Sequence, residues 1–139
     1  MQVALDWKKG LNFRGKGMSS NFSVDVDADA AVGGTEEGLR PMELVALGLG
    51  GCTGMDVISI LQKKRQDVTA FQVKVTTEAA KEHPKVWTHV LIEYLITGND
   101  IDAAAVERAI QLSADKYCPA QNMIKMAVLV ETDYEIIPA

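Results

Sequence analysis

An α+β fold is what this sequence predicts, and three observations predict it. Short stretches of alternating apolar and polar residues recur before and after one long apolar segment, which is the period of strands with one buried face. That segment, residues 41–64, is apolar on nearly every side of a helix until Gln62-Lys63-Lys64-Arg65, so it must be covered all round. Runs of strands set against one such helix define the class. With 139 residues, 47% of them hydrophobic, the chain fits one domain over residues 1–139 with a core that needs no disulfide.

The elements follow in order. Residues 3–7 and 22–26 alternate as strands, and residues 11–14 form a short strand between them, set off by Gly10, Gly15 and Gly17. Three early strands with glycine turns make a meander. Residues 27–40, rich in Ala, Gly, Asp and Glu, read as an exposed loop. Pro41 suits the first position of the apolar helix, where its missing N–H costs nothing. Strands follow at residues 71–77 and 86–97, joined by a turn at residues 81–84. Residues 102–116 read as an amphipathic helix with Asp102 as N-cap and Val106, Ile110 and Leu112 as its apolar face. A short helix from Pro119 and a strand at residues 127–137 complete the chain. So few elements cannot cover the central helix on every side, and a homodimer that shares central helices would.

A formal net charge of −5 gives no general affinity for nucleic acid. Residues 1–9 lack the apolar core and cleavage site of a signal peptide. The longest apolar stretch, residues 44–61, is broken by Cys52, Thr53, Asp56 and glycines, which makes it a poor membrane span. A cytoplasmic location is expected, where thiols are kept reduced and two cysteines mean chemistry or inert packing.

Those cysteines are the candidates for chemistry. Cys52 lies in Gly48-Leu-Gly-Gly-Cys-Thr-Gly54, and glycines inside a helix need a reason such as close approach of another backbone or a substrate. A small hydrophobe in a tight helix crossing is the alternative. Cys118 ends Asp115-Lys-Tyr-Cys-Pro119. The residue before proline is pushed out of the helical region, so Cys118 falls at a helix junction, ahead of free N–H groups that favour a thiolate. Lys116 adds charge if it faces the same way, and a buried cap residue is the other reading. Together the two thiols match an attacking and resolving pair. His83 and His89 do not repeat with cysteine at metal-ligand spacing, so neither a metal nor another cofactor is expected; a Cys–His pair meeting in space stays open. Asp56, one turn after Cys52, would raise the thiol pKa if unpaired and is expected to have a partner or to face solvent.

Three stretches, Pro41-Met-Glu-Leu44, Gly50-Gly-Cys-Thr-Gly-Met-Asp-Val-Ile-Ser-Ile-Leu61 and Leu112-Ser-Ala-Asp-Lys-Tyr-Cys-Pro119, resemble the OsmC/Ohr family of thiol-dependent hydroperoxide reductases, and within it the YhfA-like branch. The resemblance implies antiparallel sheets packed on a long central buried helix, in two intertwined subunits with active sites at their interface. It implies Cys52 as the peroxidatic cysteine for organic hydroperoxides, Cys118 as the resolving one, and a dithiol reductant, of lipoyl type in the Ohr branch. It also places Arg14 at the position of the Ohr arginine that lowers the thiol pKa. The family's orienting glutamate falls at Met42. Glu43 is adjacent, but nine residues before Cys52 in a regular helix it points away from it.

Overall fold

Alternation in the N-terminal sequence builds a meander of β1 (Val3–Lys9), β2 (Asn12–Gly17) and β3 (Ser23–Val26), paired antiparallel in that order. A computed structural model describes residues 1–139 as two compact units, Met1–Ala46 and Leu47–Ala139, and the division falls inside the long helix α1 (Pro41–Lys63). In the first unit Gly10 takes a positive φ at the β1–β2 turn, as glycine does at no steric cost. Every residue of β1 is exposed, Val3, Leu5 and Trp7 included.

The segment expected to be an exposed loop has a buried carboxylate at its root. Asp27 is 2% exposed and accepts hydrogen bonds from Thr35 Oγ1, from the N–H groups of Ala28 (2.7 Å), Thr35 (3.1 Å) and Glu37 (3.3 Å), and from Asn12 Nδ2 (3.1 Å). It holds the loop closed much as a ligated ion would. The Thr35 hydroxyl leads in holding this carboxyl well below the usual carboxylate range, and the backbone and Asn12 donors outweigh the opposing effect of burial.

The second unit contains β4 (Asp67–Ala79), β5 (Trp87–Asn99), α2 (Ala103–Leu112), α3 (Pro119–Ile124) and β6 (Leu129–Pro138), with most of α1. Its sheet runs β4-β5-β6. The β4–β5 pair is antiparallel, but β6 lies parallel to β5, so only the first sheet is antiparallel throughout. The reason lies in the connection: a strand returning parallel needs a long crossover, and the helices between residues 103 and 124 supply it. Asp102 caps α2 as expected, accepting from Ala104 N–H at 3.0 Å. The core gathers Leu49, Val57 and Leu61 of α1, Val90, Ile92, Tyr94 and Ile96 of β5, and Val106, Ala109 and Ile110 of α2. Leu112, expected on that face, is only half-buried.

Two helical glycines have a packing reason. A Cβ at Gly50 would stand 3.0 Å from Val75 Cγ2, and one at Gly54 3.1 Å from Val73 Cγ2; both let α1 approach β4. Gly48 and Gly51 meet nothing within 4 Å. The helix is long and apolar enough to cross a membrane, with a mean hydropathy of 1.8, yet only 33% of that window is buried. Its buried side joins the core just described. Its other side leaves Leu47 and Met55 exposed, at 57% and 69%, so the central helix is covered on one face rather than all round.

Asp27 yields a pH prediction. Its folded pKa is depressed, so its stabilising contribution is present above the unfolded value of about 3.9 and is lost as pH falls toward the folded one. Wild-type stability, followed by urea midpoints, should decline below about pH 4. Asp27→Asn should be less stable at neutral pH and show a flatter acid limb.

Candidate functional site

The glycine-rich stretch of α1 holds Cys52 half-buried, one residue before Thr53. Pro119 opens α3 and excludes Cys118 from the preceding helix, so Cys118 takes an extended conformation and becomes the N-cap of α3. There its Sγ accepts from Gln121 N–H at 3.3 Å and is shut off from solvent at 0% exposure. Distant in sequence, the two thiols lie near each other within the second unit. Both are free thiols.

The expectation that the helix junction makes Cys118 a thiolate is overturned. Burial pushes its thiol up to about 11; Gln121 N–H opposes this, while Cys52 and Asp56 push the same way. One amide donor does not offset full desolvation. The Lys116 ammonium lies over the Tyr117 ring, 5.3 Å from the centroid. Cys118 is therefore a protonated donor facing Cys52.

Beside the thiols runs a chain of hydroxyls that the sequence reading did not single out. Tyr94 Oη lies 2.7 Å from Thr53 Oγ1, Thr53 Oγ1 lies 2.7 Å from Ser113 Oγ, and Ser113 Oγ donates to Asp56 Oδ2 at 2.9 Å. Tyr94, Thr53 and Ser113 are all fully buried. Proton counting fixes the direction. Ser113 spends its proton on Asp56, so Thr53 donates to Ser113, and Tyr94 donates to Thr53. Burial is the main cause that pushes the Tyr94 phenol up to about 12. The donor at the head of the chain therefore stays protonated. The one signal available in sequence was Thr53 itself, since a hydroxyl on a buried apolar helix must find a partner. Asp56 was expected to have a partner or to face solvent, and Ser113 is its partner.

Arg14 belongs to the first unit. On β2 it stands directly opposite Asp25 of β3, and its Nη1 is 3.3 Å from Asp25 Oδ1. Glu43 serves the helix terminus instead of a thiol. Its Oε1 accepts from Arg40 N–H at 2.9 Å, closing the first turn of α1 as the acidic half of a capping box. Met42 is exposed. His89 lies beside Glu131 on the second sheet, Nε2 to Oε2 at 2.5 Å, so it is engaged away from cysteine.

An α+β frame that brings two free thiols together at a helix break defines a dithiol protein of the OsmC type. The chain belongs to the OsmC-like protein family, whose model matches residues 33–133. Protein YhfA of Escherichia coli (strain K12) is 40% identical over 139 residues, the full length of both chains. Among solved structures, a hypothetical protein of Aquifex aeolicus VF5 shares 29% identity at a TM-score of 0.86, covering 99% of this chain and 96% of that one. The organic hydroperoxide resistance protein OhrB of Bacillus subtilis shares the fold at a TM-score of 0.65 and 14% identity, with 96% of each chain covered.

Accessibility should separate the two thiols. Brief iodoacetamide treatment of the native protein at pH 8 should modify Cys52 well before Cys118, as read by peptide mass spectrometry. Equal labelling would contradict the burial and protonation assigned to Cys118.

Proposed function

We propose that the chain reduces organic hydroperoxides through Cys52 and Cys118, as a homodimer of single OsmC-like domains. The observation that carries the reading is the proximity of the half-buried Cys52 to the enclosed Cys118. The family membership and a structural neighbour named for organic hydroperoxide resistance support it. In this reading the Cys52 thiolate attacks the O–O bond, an alcohol leaves, and a sulfenic acid remains on Cys52. Cys118 condenses with it to a disulfide with loss of water, and a dithiol of lipoyl type reduces the disulfide. The family resemblance assigns Arg14 as the cation that stabilises the reactive thiolate. Cytoplasmic action fits a cycle that must return to the dithiol state.

Support for a second copy comes from uncovered apolar surface. Leu47 and Met55 on α1, and Val3, Leu5 and Trp7 on β1, are exposed in the single chain, and a second copy of the chain is the occupant that would cover both. Sedimentation at micromolar concentration should find a dimer. A monomer there would remove this part of the proposal.

A specific observation favours a second reading, thiol–disulfide or persulfide exchange, or apolar-ligand binding, without fast peroxide chemistry. The family's orienting glutamate is replaced by Met42, and the adjacent Glu43 is engaged with the N-terminus of α1. Cumene hydroperoxide consumption with a dithiol reductant separates the readings. Wild type should consume it, Cys52→Ser should lose at least about 100-fold in rate, and Cys118→Ser should accumulate a dimedone-reactive sulfenic acid. A wild-type protein inert to peroxide, copurifying with an apolar ligand, would transfer the case to the second reading.

A further inference from the structure

Resting on the dithiol reading of the site, we propose that Thr53 and Ser113 are positioning residues that hold Cys118 against Cys52 for disulfide closure. The hydroxyl chain then sets both the rate of closure and the stability of the disulfide.

The tie between the two cysteines is short. Cys52 is bonded in the chain to Thr53; Thr53 Oγ1 lies 2.7 Å from Ser113 Oγ, and Ser113 O accepts from Cys118 N–H at 2.9 Å. Two hydrogen bonds therefore join the backbone that carries one sulfur to the backbone that carries the other. Asp56, also on α1, grips Ser113 Oγ from a second position one turn further on. Ser113 is held from two points of α1, which fixes its place along the helix as well as its distance from it.

Costs borne near Cys118 point the same way. Residues Ser113–Tyr117 form a π-turn, a form that is rare and occurs mostly at functional sites. A glutamine at the third position of α3 could cap its own helix by accepting from the Cys118 N–H. Here the Ser113 carbonyl takes that N–H, and Gln121 Oε1 is left buried with no partner. A widened turn and an orphaned acceptor persist where surrounding contacts over-determine the geometry; the hydroxyl chain is one such contact, beside those of Asn122 Nδ2 with the Ala114 and Cys118 carbonyls (2.9 and 2.8 Å) and of Lys125 Nζ with the Ala114 carbonyl (3.1 Å).

The chemistry makes position matter. In closure, Cys118 sulfur attacks the sulfenyl sulfur of Cys52; the S–S bond forms as the S–O bond breaks. The departing hydroxide takes the Cys118 thiol proton and leaves as water. The oxidising equivalents come from the hydroperoxide already named. A resolving thiol that is protonated at rest gains its rate from held proximity rather than from standing thiolate.

The test uses Thr53→Val, which keeps the shape and removes the hydroxyl, and Thr53→Ser, which restores the hydroxyl. Each protein is equilibrated in oxidised and reduced dithiothreitol, with no peroxide present, and the Cys52–Cys118 couple is quantified by thiol labelling. Thr53→Val should favour the dithiol at least about tenfold over wild type, which for a two-electron couple is about 30 mV. Thr53→Ser should stay within about twofold of wild type. Closure after a single oxidative turnover should slow in Thr53→Val alone. If Thr53→Val does not fold, Ser113→Ala carries the same criterion with the Tyr94–Thr53 bond left in place. A midpoint and closure rate equal to wild type in the folded variant, even with lowered thermal stability, would make the chain a fold element only and overturn the proposal. So would a wild type that forms no Cys52–Cys118 disulfide across the buffer range. A shifted midpoint in a protein that consumes no hydroperoxide would remove the peroxidase reading and leave the positioning role standing.

Discussion

The second unit depends on one packing constraint: α1 must come close enough to β4 for its own backbone to serve as the contact surface. Gly50 and Gly54 permit this against Val75 and Val73. With the helix drawn in, Leu49, Val57 and Leu61 reach the core, and Thr53, between the two glycines, is carried to Tyr94 and Ser113. The residue that links the cysteines is thus delivered by the same close approach that builds the core. A bulky side chain at either glycine would disturb packing and the hydroxyl chain together.

Much of the frame was legible because its signals are local. The early meander, Pro41 at the head of α1, the Asp102 cap and the break before Pro119 each depend on residues a few positions apart. The cysteine pair was legible for a related reason, since each thiol sat beside a glycine or proline irregularity. Helical phase in the sequence turned Glu43 away from Cys52 without deciding whether it could stand in for the family glutamate, and the structure engages it with the Arg40 N–H instead.

What was not legible in the sequence is long-range and polar. Thr53 finds Tyr94 and Ser113 at separations of 41 and 60 residues, and nothing in either neighbourhood announces the partner. Asp27 was hidden by composition: a stretch full of small and acidic residues looks solvated, yet five donors from residues 12 to 37 converge on its carboxylate. The protonation of Cys118 differs from expectation because a helix terminus is visible in sequence, whereas complete enclosure by distant segments is not. Local electrostatics alone favour the thiolate, and the desolvation that decides the matter comes from elsewhere in the chain.

The π-turn between α2 and Cys118 has a consequence of phase. In α2 the residues Ala105, Val106, Ala109 and Ile110 present one face to the core, and each further residue of a regular helix turns by about 100°. The Cys118 N–H reaches back five residues to the Ser113 carbonyl instead of four, so the turn absorbs one residue without redirecting the chain. It works as a phase shifter, letting the helix keep the azimuth its core face demands while the thiol takes the azimuth the other sulfur demands.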